Sequence, residues 1–289
     1  MEVQTTTLKL TFLIHCPDQV GIISAVTNFL HQQGGNIIYL DQHVDKEAKV
    51  FFMRLECEFE KTIDELALKS SFENLLANKY QMQWYIHQEH IKPKMAVFVS
   101  KYKHCLYDIL SRYQSGELLV EIPFILSNHK DLWFIAKQFD IPFYHVQVNK
   151  EDRAKADNEQ LRLLQQHNVD FVVLARYMQI ISPKVITALP NKIINIHHSF
   201  LPAFAGAKPY HAAFKRGVKI IGATSHYVTE ELDAGPIIAQ DVSTVTHSHS
   251  IDDLVARGRD LEKIVLSRAV LLHVHRKTMV YNNKTVIFS

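Results

Sequence analysis

A chain of 289 residues, 47% of them hydrophobic, carries enough apolar side chain for two separate cores. Its 32 basic and 30 acidic residues are interspersed and nearly cancel to +2, which excludes the electrostatic footprint of a nucleic-acid-binding surface. The amino terminus lacks the charged-then-apolar plan of a secretory signal and no apolar run approaches a membrane span, so a cytoplasmic protein with no membrane partner is expected.

The first ninety residues read as one unit. Leu8, Leu10, Phe12 and Ile14 alternate as in a half-buried strand, and Cys16-Pro-Asp-Gln-Val-Gly21 makes a turn. Ile22, Ile23, Val26, Phe29 and Leu30 follow helical spacing until Gly34-Gly35 stops the helix. Residues 36–42 supply a second strand. From 51 to 59 the alternation is regular, with Phe51, Met53, Leu55, Cys57 and Phe59 on one face and Arg54, Glu56 and Glu58 on the other. That pattern predicts a sheet face left to solvent or to a partner. Ile63, Leu66, Phe72, Leu75 and Leu76 mark a second helix and residues 81–87 a fourth strand, giving a ferredoxin-like βαββαβ order.

Ile91-Lys-Pro93-Lys is a polar hinge with a helix-incompatible proline, so the division falls between residues 1–90 and 94–289. Beyond it, residues 95–99, 118–126, 143–148, 171–174 and 193–196 are short apolar runs. Helical segments at 103–114, 132–139, 153–167 and 183–189 lie between them. Strands alternating with helices predict an α/β, Rossmann-like domain with a mostly parallel sheet, which binds ligands outside the carboxyl ends of its strands.

At one such end stands Asn195-Ile-His197-His-Ser-Phe-Leu-Pro202, followed later by Leu232-Asp233-Ala-Gly-Pro. Alternation puts Asn195 and His197 on one face of the strand and Ile196 and His198 on the other. An amide and an imidazole can hold the oxygen of a carbonyl as it becomes tetrahedral, and a carboxylate such as Asp233 can take a proton from the attacking group. Spacing alone equally supports a plainer reading, in which Asn195 caps a turn, His197 is a half-buried histidine and Asp233 opens a turn.

Cys16, Cys57 and Cys105 are odd in number and widely separated, which suits reduced thiols. Among 17 histidines, His247-Ser-His249 and His273-Val-His275 have no cysteine or acid at a zinc-type spacing, and no metal site is expected.

Asn195-Ile-His197, Ser199-Phe-Leu-Pro-Ala-Phe-Ala-Gly206, Gly222-Ala-Thr-Ser-His-Tyr-Val and Leu232-Asp233-Ala-Gly-Pro-Ile-Ile together resemble the folate-dependent formyltransferase family over residues 94–289. The resemblance implies Asn195, His197 and Asp233 as catalytic residues. It implies a pterin-binding hinge at Arg176, Tyr177 and Met178, and an opposite wall with Val228, Glu230, Leu232 and Gly235. Ser199 and Gly206 complete the implied substrate contacts, although Ser199 reads alternatively as shaping its loop, Arg176 as a surface cation and Met178 as core packing. The substrate implied is 10-formyltetrahydrofolate, in one-carbon and purine metabolism, with no separate cofactor.

The acceptor is read from the turn after the first strand of this domain. Purine-pathway members of the family carry a glycine-rich turn there that cradles a phosphate, whereas Val99-Ser-Lys-Tyr-Lys-His-Cys105 has no glycine. Water is therefore the expected acceptor, releasing formate and tetrahydrofolate; transfer to an amine is the alternative. The short segment after the last long helix leaves no room for the extra carboxyl-terminal domain of methionyl-tRNA formyltransferases.

The first unit, with Cys-Pro-Asp18-Gln-Val-Gly21-Ile-Ile opening its first helix, resembles the ACT domain. That resemblance implies an amino-acid effector at Asp18 and Gly21 and side-by-side pairing into a homo-oligomer. The residues read alone allow a plainer role, Asp18 capping the helix and Gly21 permitting close packing.

Overall fold

Leu10, Phe12 and Ile14 alternate along β1 (Thr7–Pro17), and all three are completely buried. The computed structural model describes residues 7–60, 63–149, 152–202 and 209–289. Two compact units result, Met1–Ile91 with Phe288–Ser289, and Lys92–Ile287.

In the first unit β1 leads into α1 (Ile22–Gln32), β2 (Asn36–Asp45) and β3 (Val50–Glu60). Next, α2 (Glu65–Phe72) runs through a π-helical turn at Glu73–Ala77 into α3 (Asn78–Tyr80) and then β4 (Gln83–Gln88). The sheet has the order β2-β3-β1-β4 with every pair antiparallel, the βαββαβ arrangement expected. α1 buries Ile22, Val26, Phe29 and Leu30, and the Asp64 side chain caps α2 by accepting from Leu66 N and Ala67 N.

Of the two outcomes expected for this face, exposure to solvent fails. The second face of β3 is not left to solvent, because Phe52 and Arg54 are buried as well. Phe52 pairs across the sheet with His15 and His43, whose ring centroids lie 5.9 and 6.3 Å from its own. Arg54 pairs with Glu56 and lies over the Tyr39 ring, 5.1 Å from its centroid. Large cross-strand side chains thus cover a face whose charged residues suggested exposure.

The second unit contains β5 (Met95–Val99), α4 (His104–Gln114), β6 (Ile125–Ser127), α5 (Trp133–Gln138), β7 (Phe143–His145), α6 (Arg153–Gln166) and β8 (Phe171–Leu174). It continues with α7 (Pro183–Ala188), β9 (Ile193–His197), α8 (Pro209–Arg216), β10 (Ile220–Tyr227), β11 (Ile237–Thr244) and α9 (Ile251–Val274), and closes on a hairpin of β12 (Thr278–Tyr281) and β13 (Lys284–Ile287). The main sheet runs β11-β10-β9-β8-β5-β6-β7. β5 to β9 pair in parallel, while β10 is antiparallel to both β9 and β11. Strand order reverses between β5 and β8, so the fold has its topological switch point beyond the carboxyl ends of those two strands.

The apolar run at 118–126 was expected as one strand, yet only its end enters β6. Pro123 has no N–H for a ladder, and Leu118 and Val120 are buried without regular pairing. The run at 143–148 likewise pairs only over Phe143–His145.

Two core layers cover the main sheet. Ile194 and Ile196 pack with residues of α4 and α9, while Ile193 packs with residues of α6 and α7 on the opposite side. Asn195 and His197 therefore point away from the α9 layer, as alternation along β9 requires. A capping box between Ser250 and Asp253 starts α9. Among the described residues no helix is long and apolar enough to cross a membrane.

Candidate active site

Asn195 and His226 stand directly opposite each other on β9 and β10. Asn195 Nδ2 lies 3.2 Å from His226 Nε2, and His226 Nδ1 lies 2.9 Å from the Tyr227 carbonyl. A carbonyl can only accept, so Nδ1 carries the proton and Nε2 is left to accept from the Asn195 amide. This fixes the amide with its nitrogen toward His226.

His197 Nδ1 lies 3.2 Å from Asp233 Oδ2, while His226 Nε2 stands 3.7 Å from Oδ1. His197 is 6% exposed, and its Nε2 has no hydrogen-bond partner among the described residues. Hydrogen bonding from His197 outweighs burial and holds the Asp233 carboxyl well below the usual carboxylate range. The backbone of Asp233 is left-handed, φ 56°, a conformation aspartate tolerates better than most residues. Three polar groups thus converge with one imidazole nitrogen unused.

They face a cavity of about 490 Å³, a size typical of small-molecule sites. Arg176, Tyr177 and Met178 line it on the β8 side, and Val228, Glu230, Leu232 and Asp233 line it opposite, together with Asn195 and His197. Met178, Ile180 and Leu232 are 48, 59 and 64% exposed, which gives the cavity an apolar rim suited to a flat aromatic ring. The amides of Ala175, Arg176 and Met178 already bond Phe98 O, Leu174 O and Ser100 Oγ. Ser100 Oγ in turn donates to Asn128 Oδ1 at 2.6 Å, so the hinge after β8 is held from the turn after β5.

Other expected contacts lie elsewhere. Ser199 is buried with its carbonyl accepting from Thr224 Oγ1, and does not line the cavity. Gly235 does not line it either; a Cβ there would stand 1.8 Å from the Tyr227 carbonyl oxygen, so its lack of a side chain serves close packing. Gly206 lies outside the described residues. Arg176 is no surface cation, being 8% exposed with Nε 3.4 Å from Glu262 Oε2.

A formyl transferase model matches residues 93–270, the span that carries every one of these groups, and an ACT domain model matches residues 11–65. The chain belongs to the formyl transferase family. A formyltetrahydrofolate deformylase of Synechocystis is 49% identical over 98% of this chain and 99% of its own length. One from Bacillus subtilis is 45% identical over 96% of this chain and 93% of its own. The crystal structure of a formyltetrahydrofolate deformylase from Pseudomonas syringae pv. tomato superposes with a TM-score of 0.95 at 45% identity, covering 100% of this chain and 96% of that one.

Within this formyl transferase domain the sequence reading passed over His226. Alternation through Gly222, Thr224 and His226 was a usable signal, but only the antiparallel register with β9 sets His226 against Asn195. Also missed was a buried cluster on the α9 side: Glu262 lies 2.7 Å from His104 Nε2 and accepts from Tyr210 Oη at 2.9 Å. Burial pushes the Glu262 carboxyl up, but His104 and Arg176 together prevail and lower it. Cys105, His104 and Glu262 have donor atoms within 4.8 Å of one another, a grouping the spacing of histidines did not suggest. They make a poor cation site, because the Arg176 guanidinium already faces that carboxylate and burial pushes the Cys105 thiol far up.

In the ACT unit Asp18 and Gly21 are exposed in the turn before α1. Gly21 is the N-cap at φ 92°, and no side chain caps that helix, so Asp18 does not act as its cap.

Proposed function

We propose that the protein hydrolyses 10-formyltetrahydrofolate to formate and tetrahydrofolate in this cavity. The observation that carries the reading is the convergence on one cavity wall of the Asn195 amide, the ionised Asp233 and a His197 Nε2 without a hydrogen-bond partner among the described residues. The pteridine lies between residues 176–178 and residues 228–232, with Met178, Ile180 and Leu232 against its faces. The formyl oxygen then sits between Asn195 Nδ2 and His197 Nε2. Water attacks the formyl carbon, and the Asn195 amide together with His197 in its doubly protonated form, which carries a proton on Nε2 as well as on Nδ1, holds the developing oxyanion.

Asp233 serves this step twice. Its Oδ2 fixes His197 through Nδ1, so that Nε2 presents to the substrate. Its carboxylate also accepts the proton of the attacking water. A carboxylate held so far below its usual range is a weak base, so the proton moves late, once bonding to carbon has made the water strongly acidic. Collapse returns the electron pair to the folate nitrogen, which takes up a proton as the C–N bond breaks.

The ACT unit supports a general amino-acid-binding regulatory role. The finer reading places an effector at Asp18 and Gly21, pairs copies of the chain through residues 1–90 and leaves catalysis to 94–289. Sedimentation and activity measured with glycine and with methionine test it. The same reading assigns the reaction to one-carbon and purine metabolism, in the cytoplasm.

The deciding assay incubates purified protein with 10-formyltetrahydrofolate and no amine. Formate equal to the tetrahydrofolate formed is expected, and turnover that requires an added amine overturns the reading.

A further inference from the structure

The segments that follow three neighbouring parallel strands each send one side chain to the same carboxylate. His104 follows β5, Arg176 follows β8 and Tyr210 follows β9; all three reach Glu262, which α9 supplies from beneath. Glu262 is 1% exposed, Arg176 and Tyr210 are 8% exposed, and Tyr102 lies over the guanidinium at 5.0 Å from ring centroid to Cζ. This places a packed polar cluster at the switch point between β5 and β8, where an open sheet of this kind offers a crevice.

The cluster borders the reacting groups. Arg176 lines the same cavity as Asn195, His197 and Asp233. The His198 ring bridges the two, 5.2 Å from the His197 ring and 6.0 Å from that of Tyr210. None of His104, Tyr210 and Glu262 has a task in the hydrolysis described above. They stand behind Arg176 and His198, which line that cavity.

We propose that His104, Tyr210, Arg176 and Glu262 form a plug that determines acceptor specificity, closing the α9 side of the cavity so that only a nucleophile as small as water reaches the formyl carbon. The remaining open side is occupied by the folate itself. This inference rests on the hydrolytic reading. With the plug opened, a primary amine attacks the same carbon; its nitrogen bonds to carbon and loses a proton to Asp233. The folate C–N bond breaks, its electron pair and a proton go to the folate nitrogen, and a formamide is released.

The full-length protein tests this with 10-formyltetrahydrofolate and glycinamide as the amine probe, formate and formylglycinamide being measured together. Wild type should give formate with formylglycinamide only at a low background that sets the baseline ratio. His104→Ala should raise the ratio of formylglycinamide to formate by at least ~10-fold, the scale on which pocket shape discriminates reactants. Added imidazole, which refills the void, should return the ratio toward wild type. Tyr102→Ala, at an exposed position, loosens the cover on Arg176 without opening the core and should shift the ratio the same way even if His104→Ala fails to fold. Formate release with an unchanged ratio in each folded variant overturns the plug, as does wild type formylating glycinamide as readily as the variants. Failure of the hydrolytic reading is separate, since it shows as wild type releasing no formate without amine.

Discussion

His226 Nε2 stands 3.2 Å from Asn195 Nδ2 across directly paired residues of β9 and β10, and its own Nδ1 is committed to the Tyr227 carbonyl. One histidine thereby sets which atom of the Asn195 amide faces the substrate. His226→Leu should lower kcat ~10-fold with little change in KM, the scale of one lost hydrogen bond. Asn195→Ala should cost ~10²–10³ in kcat as a lost oxyanion donor. Steady-state kinetics of the double variant should match Asn195→Ala alone; additive losses would reject the positioning role of His226.

Asp233→Asn keeps a residue that accepts φ 56° and removes the charge. Single-turnover formate release should fall ~10²–10⁴-fold while substrate affinity, read by fluorescence titration, stays near wild type. The His197 hydrogen bond lowers this carboxyl, so its contribution to stability is present above the unfolded carboxylate pKa and is lost only as pH drops through the depressed folded value. Asp233 should therefore stay ionised from neutral pH to 5, and a loss of rate in that range with a carboxylate's pKa would reject it as the base.

Burial, aided by Arg176, lowers His198 from 6.5 to about 4. Between those values the unfolded chain holds more protons than the folded one, so stability falls as pH is lowered through this window and levels off beneath it. The full loss amounts to about 3 kcal/mol. Thermal melts from pH 7 to 4 should show it, and His198→Gln should flatten the slope.

Gly258 on α9 faces Tyr210, and a Cβ there would stand 2.0 Å from Tyr210 Oη. Gly258→Ala has to displace the ring that reaches Glu262. Overpacking of this kind costs ~1–3 kcal/mol, despite the better helix propensity of alanine. A lower melting temperature is expected, and an unchanged one would refute the contact.

Much of the molecule was legible before its coordinates. Regular alternation and helical spacing announced the βαββαβ unit, and alternation along 193–197 placed Asn195 and His197 on one face. Residues whose role depends on partners distant in the chain were not legible. His226 acquires meaning only from antiparallel register, Arg176 only from a carboxylate 86 positions later, and Glu262 looks like any acid on an amphipathic helix. Pro123 shows the converse limit: an apolar run announces burial, and a missing N–H decides that most of it is not strand.

α9 packs behind β9, β10 and β11. Its Glu262 bonds Tyr210, and its His273 Nδ1 lies 2.8 Å from Tyr227 Oη, the residue next to His226. One end of the reacting strand pair, and the helix α8 that follows β9, are therefore tethered to the same long helix. Amide hydrogens of β9, β10 and α9 should exchange with solvent as a single cooperative block at the rate of global opening. Local breathing would then be confined to the rim at Met178, Ile180 and Leu232, leaving the chemistry on the slowest-exchanging scaffold and ligand entry on the fastest.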